Sequence, residues 1–247
     1  AILYLRPQET QQFLNTYHGR LPIYGLFPQA ELDATSDDWL QTMRTAHQRI
    51  WVVPDDTLPE QSAWERTLRG DEFLLLDTRP TGDQNRRMAL YGLVNSQPMS
   101  QAGIGTIFGD PAQVGNVTQS NGWFRLEGYA LTDQTAPGDD LLLTLVWSSL
   151  RPVEYDYHVF VHLLNGSNDK VAQRDGQPVQ WLRPTSTWQP GEEIIDRYGL
   201  MLPDDLPLGA YSVAVGLYDP VSGQRLPVSA GPQDFAIELG PVTVTNR

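Results

Sequence analysis

The sequence predicts an α+β protein of two domains. An N-terminal three-layer α/β domain with a mostly parallel sheet (residues 1–95) is followed by an all-β sandwich (103–247), immunoglobulin-like or jelly-roll-like. Three observations predict this. Residues 1–94 alternate short apolar runs with helix-period stretches, the pattern of strands covered by helices. From about residue 103 onward, strand-length runs are separated by Gly, Pro, Asn and Asp without any helical period, as in a sandwich. Between the two lies "NSQPMSQAGIG", short, polar and carrying Pro and Gly, which suits a linker.

In chain order, "ILYL" (2–5) is the first strand. "PQETQQFLNTYH" puts Phe13, Leu14 and Tyr17 on one helical face, with Pro7 in the first turn. "LPIYGL" (21–26) is the second strand. Thr35 and Asp38 have capping-box spacing ahead of Trp39, Leu40, Met43 and Ala46 at helical intervals. "RIWVV" (49–53) reads as a buried strand. Leu58, Trp64 and Leu68 mark a third helix that Gly70 stops. "FLLLD" (73–77) and "MALYGLV" (88–94) close this half as an antiparallel edge. The second half runs through "WFRLEGYAL", "DLLLTLVWSSL", "YDYHVFVHLL", "KVAQRD", "EIIDRYGLML", "AYSVAVGLYD" and "FAIELGPVTV", enough strands for two sheets.

Composition limits the function. The 247 residues carry a net charge of −13 and no cluster of Lys and Arg. Nucleic acid is therefore not an expected partner, and an anionic membrane surface is disfavoured by the same argument. With no cysteine, disulfides and Cys-ligated zinc are excluded. The best apolar run, "LLLTLVW" (141–147), has strand length and falls far short of the roughly 20 residues that span a bilayer. The chain is already apolar at Ile2, as if cut from a longer protein just before a strand.

Catalytic and cofactor motifs do not emerge, and no cofactor is expected. "GIGTIFG" is one residue too long for the dinucleotide fingerprint and opens a β region instead of a helix. There is no phosphate loop, zinc helix or nucleophile elbow. His158 and His162 share a strand face, but at ~3.3 Å per residue they stand about 13 Å apart, too far for one metal. No metal site is predicted. Asn165-Gly166 suits a tight turn, so "YDYHVFVHLLNGSNDKVAQRD" is a hairpin. His162 opposite Asp175 is either a structural hydrogen bond or part of a binding site.

Most paired acids sit in turns and caps. Asp55 and Asp56 differ in following "RIWVV", and ligands bind α/β sheets at the carboxyl ends of strands. Aromatic residues give the other signal. Trp147 lies in an apolar strand, whereas Trp181 and Trp188 occupy the loop "VQWLRPTSTWQPGEE", where indole faces can stack on sugar rings. Tyr129 is a further candidate of this kind.

Motif order adds a resemblance. A Trp-ended strand is followed by "DYHVFVHLL", "QRDGQP", "PTSTWQPGE", "DRYGLMLP" and "PLGAYSVAVGLYDPVSGQRL". This order resembles a recurring bacterial β-sandwich. "FLNTYHGRLPIYGL", "DDWLQTMRTAHQRIWVV" and "RMALYGLV" resemble the region that often precedes it. Together they resemble the C-terminal extracytoplasmic part of multispanning glycosyltransferases related to protein mannosyltransferases (family 39). The resemblance implies a catalytic acid and a polyprenyl-phosphate sugar donor in a membrane-proximal part that this chain lacks. It thus implies no catalytic residue here, but an accessory role: stabilising the enzyme or presenting a glycan or glycosylated acceptor. The location implied is periplasmic or cell-surface, tethered through the membrane portion of the same chain. His162, Asp175, Trp188 and Asp196 fall on the recurring pattern. Two rival functions are a secreted carbohydrate-binding module acting through Trp181, Trp188 or Tyr129, and a soluble hydrolase using Asp55 or Asp56.

Overall fold

The computed structural model describes residues 2–4, 15, 17–25, 43, 45–53, 73–80, 87–93, 99–229 and 235–246. The chain divides into two compact units, Ala1–Asn95 and Ser96–Arg247.

The first unit corrects the expected three-layer α/β domain with its mostly parallel sheet. Its strands are β1 (Ile2–Tyr4), β2 (Ile23–Gly25), β3 (Arg49–Val53), β4 (Phe73–Pro80) and β5 (Arg87–Leu93). They form one sheet in the order β2-β1-β3-β5-β4. β1 pairs in parallel with β2 and β3, while β5 pairs antiparallel with both β3 and β4. The sheet is mixed because β5 turns back from β4 and inserts beside β3. Among the described residues, α-helical backbone is confined to Asn15, Met43, Thr45 and Ala46, with single 3-10 turns at Pro111–Gln113 and Thr185–Thr187, and the fold is nearly all β in three sheets. Most of the three expected helical stretches lie outside the described residues. The apolar runs do supply a core: Ile50, Val52, Phe73, Leu74, Leu75, Ala89, Leu90 and Tyr91 are buried.

The second unit is a sandwich. One sheet holds β6 (Met99–Gly109), β7 (Gly122–Thr132), β9 (Asp140–Ser149) and β12 (Glu193–Met201) in the order β12-β9-β7-β6. The other holds β8 (Gln134–Thr135), β10 (His158–Leu164), β11 (Lys170–Gly176), β13 (Gly209–Tyr218) and β14 (Ile237–Val244) in the order β11-β10-β13-β14-β8. β7, β9 and β12 facing β10, β13 and β14 follow the order of an immunoglobulin-like sandwich, with β6, β8 and β11 added at the edges.

Alternation along each strand fills the space between the sheets. Leu141, Leu143, Leu145 and Trp147 of β9 meet Val159, Val161 and Leu163 of β10 and Val213, Val215 and Leu217 of β13 in one core. At the entry to β13 the Tyr211 hydroxyl donates to the carbonyl of Pro207 at 2.7 Å. That is the tyrosine corner of such sandwiches, and it fixes where the chain enters β13. Among the described residues no helix is long and apolar enough to cross a membrane.

Candidate functional site

If odd residues of β10 fill the core, His158, Phe160 and His162 must face outward. Strand register then decides what stands beside them. His158 faces Tyr218, Phe160 faces Gly216 and Asp175, and His162 faces Ala214 and Gln173. The result is a run of rings across the outer surface of the five-stranded sheet. His162 lies 4.9 Å from Phe160, Phe160 lies 6.4 Å from Tyr218, and Tyr218 lies 5.6 Å from His158. His158 in turn meets Trp181 edge-on at 5.0 Å, a favoured aromatic geometry.

Phe160 is the floor of this surface. It rests on Gly216, where any side chain would meet the ring and, at 2.6 Å, the carbonyl oxygen of Phe235. The guanidinium of Arg225 covers the ring at 4.1 Å, a cation–π contact. Polar groups line the margin. His162 Nε2 stands 3.3 Å from Asp175 Oδ1, although neither atom makes an aligned hydrogen bond. Burial pushes His158 below its ordinary value against the opposing pull of Asp156 and Asp175, which favours a neutral ring. Burial and then Asp175 push the Tyr218 hydroxyl upward.

Trp181 reaches the surface by an unusual backbone. Val179, Gln180 and Trp181 have φ of 52°, 53° and 74°, three consecutive left-handed residues without a glycine. Such conformations cost about 1–3 kcal/mol each and persist only where surrounding contacts enforce them. Here the Leu182 N–H donates to the Val179 carbonyl at 3.0 Å. The Val179 N–H donates to Asp196 Oδ1 at 2.7 Å, and the Tyr198 hydroxyl donates to Asp196 Oδ2 at 2.5 Å. Asp196 is wholly buried on the inner side of β12. Burial pushes its carboxyl up to about 7, against the opposing hydrogen bonds from Tyr198 and from the Val179 and Arg197 amides. The indole itself lies over Gly176, where a Cβ would stand 3.2 Å from Nε1. Trp181 remains 36% exposed.

The other predicted site residues fare differently. Trp188 is 1% exposed, edge-on to Phe124 at 5.4 Å, with its Nε1–H donating to the Arg183 carbonyl. It is a core residue and offers no face to a sugar, which corrects its expected exposure. Its loop is tied inward by Thr185, whose Oγ1 accepts from the Tyr157 N–H and donates to the Tyr155 carbonyl. Tyr129 belongs to the four-stranded sheet and packs half-buried against the core. His162 and Asp175 do join the ring surface. Asp55 and Asp56 lie outside the described residues.

His158, Phe160, Tyr218 and Arg225 were missed. The alternation of "HVFVH" places His158 and Phe160 outward, but no sequence signal pairs that strand with "VGLYD". Among the described residues no three His, Asp or Glu converge as metal ligands.

No protein-family model matches the chain, and no curated protein matches it. Among solved structures, the C-terminal domain of Wzt is 11% identical over 60% of this chain and 79% of that one, with a TM-score of 0.37. A Niemann-Pick type C2 protein from the Japanese carpenter ant is 6% identical over 58% and 96%, with a TM-score of 0.33. A β-glucosidase from Listeria innocua in complex with isofagomine is 16% identical over 49% of this chain and 16% of that one, with a TM-score of 0.30. Likenesses this distant carry no argument about function. The glycosyltransferase resemblance rests on the motifs alone.

Proposed function

We propose that the second unit is a non-catalytic glycan-binding module, with Trp181 as the stacking platform. Its place is the extracytoplasmic region of a membrane glycosyltransferase, where it presents a glycan or glycosylated acceptor to the enzyme. The observation that carries the binding role is the half-open indole of Trp181, set on a left-handed turn tied to Asp196 and edge-on to His158. Flat apolar faces flanked by a few polar groups suit sugar rings, which present C–H faces and hydroxyl edges together. His158 and Asp175 supply polar groups near the indole, and His162 and Arg225 lie farther along the same surface.

Titration of the chain against a broad oligosaccharide panel tests this. Saturable binding that weakens about tenfold or more in Trp181→Ala, with the melting transition retained, is expected from the loss of one stacked aromatic anchor. Absence of saturable binding across the panel, or full affinity in Trp181→Ala, overturns the reading.

A further inference from the structure

We infer that the glycan taken by this surface is acidic, with Arg225 as the contact for its carboxylate or phosphate group. The inference rests on the glycan reading above and adds the class of sugar.

Backbone pairing fixes where Arg225 stands. Beyond β13 the chain turns back on itself. The Asp219 N–H donates to the Gln224 carbonyl at 2.9 Å, the Leu226 N–H donates to the Leu217 carbonyl at 2.8 Å, and Tyr218 and Arg225 form an antiparallel bridge. Residues directly opposite each other on neighbouring strands share a face, so Arg225 lies outward with Tyr218. Gly216, two positions before Tyr218, has no side chain, and Phe160 leans over it from β10. The Arg225 guanidinium settles on that ring at 4.1 Å.

Stacking leaves the guanidinium's donors unspent. Its N–H groups lie in its own plane, so a face resting on Phe160 uses none of them. Among the described residues no acceptor stands within hydrogen-bond or ion-pair distance of Arg225, whose partner is the ring. Other arginines of the second unit differ. Arg125 reaches Gln119 and Glu127, Arg151 the Ser120 carbonyl, and Arg183 Glu192, while Arg174 and Arg197 have interactions of their own. Asp219, the nearest acid in the chain, is occupied within its loop, accepting from the Val221 N–H at 2.9 Å and the Ser222 hydroxyl at 2.6 Å. Arg225 is exposed, so a ligand can reach its open edge.

A planar fork of this kind matches two oxygens of a carboxylate or phosphate, and the ring behind it keeps water from one face of the cation. Asp175 faces Phe160 from β11, on the flank away from β13. It orients the ligand, with the acid group toward Arg225 and hydroxyls toward Asp175 and His162. The net charge of −13 does not decide the contact, since physiological salt screens charges beyond about 8 Å. His158 and Phe160 stand two residues apart on one face of β10, about 7 Å. One oligosaccharide can therefore meet both the indole beside His158 and the guanidinium over Phe160.

The test titrates the full chain with oligosaccharides in matched pairs: uronic-acid chains against their carboxyl-reduced counterparts, and phosphorylated chains against dephosphorylated ones. In at least one series the acidic member should bind about tenfold more tightly, as a charge-assisted contact provides. The series that shows the preference identifies the acid group. Arg225→Gln should bring the two members of the pair to equal affinity. Arg225→Lys keeps the charge but not the stacked fork. It should weaken the preference, and it decides the matter if Arg225→Gln loses its melting transition. Equal affinities within every wild-type pair, or a preference unchanged in either variant, overturns the inference and leaves the glycan reading standing. No saturable binding by any member overturns both. An Arg225-dependent preference that keeps full affinity in Trp181→Ala removes the indole platform and leaves the Arg225 contact in place.

Discussion

Trp181 and Trp188 stand seven positions apart on one loop and meet opposite fates, which makes their truncations a controlled pair. Trp188→Ala empties a site between Phe124 and the rest of the core. It should cost about 3–5 kcal/mol in urea unfolding, the usual range for an aromatic core residue cut to alanine. Trp181→Ala removes a ring that is 36% exposed, so the cost should stay below about 1.5 kcal/mol, since partly exposed contacts are replaced by water. Equal losses in the two variants would contradict the assignment of one to the core and the other to the surface. Asp196 carries a second prediction. Its carboxyl binds a proton more tightly when folded, at about 7 against an ordinary 3.8. Its contribution to stability therefore declines as pH rises from about 4 to about 7 and then levels. Relative to Asp196→Asn, the wild-type chain should lose ground across that window, and a constant difference between the two would refute the burial argument. Sequence placed both tryptophans in an exposed loop because their neighbours are similar. What separates them is Thr185 bonding to Tyr155 and Tyr157 on one side and Asp196 gripping Val179 on the other, both long-range contacts that spacing does not encode.

At the scale of elements, period was legible and pairing was not. Two-residue alternation in "HVFVH" set Val159 and Val161 against the core and His158, Phe160 and His162 outward. Which strands would flank them depended on a sandwich order that brings β10 between β11 and β13. The tightest consequence of that order is at Gly216, opposite Phe160. Gly216→Ala would drive a methyl into the Phe160 ring and toward the Phe235 carbonyl. The cost expected is about 1–3 kcal/mol, as for other overpacked sites, together with a shift of the Phe160 ring signals. Unchanged stability and spectra would mean that the ring does not rest on this glycine. The entry to β13 gives a milder case. Tyr211→Phe deletes the hydroxyl bonded to Pro207 while keeping the buried ring, so about 1 kcal/mol should be lost. In the first half the same period reading found β1 to β5 and the antiparallel β4–β5 pair, but not the mixed sheet they form. An antiparallel β4–β5 pair places β5 next to β3, and hydrophobic runs alone do not reveal which neighbour a returning strand will choose.

At the scale of the whole molecule, the decisive feature is where the sandwich core draws its residues. Every member of that core, from Phe108 to Val244, comes from the second unit. The two sheets are closed on each other by local devices: Gly109 donates to the Pro227 carbonyl, Ser229 donates to the Ile107 carbonyl, and Phe108 bridges to Val228. Nothing in this set calls on residues 1–95. A unit with its own continuous core and its own corner and edge closures has what independent folding requires. Residues 96–247 expressed alone should therefore unfold in urea as a single cooperative transition. In that fragment Trp188→Ala should remain as damaging as in the full chain, and the Trp181 indole N–H should keep its full-chain NMR position. A fragment that binds hydrophobic dyes and shows no fixed aromatic environment would show that the first unit supplies stability the sandwich lacks. The proposed glycan binding would then have to be tested on the whole chain rather than on the sandwich by itself.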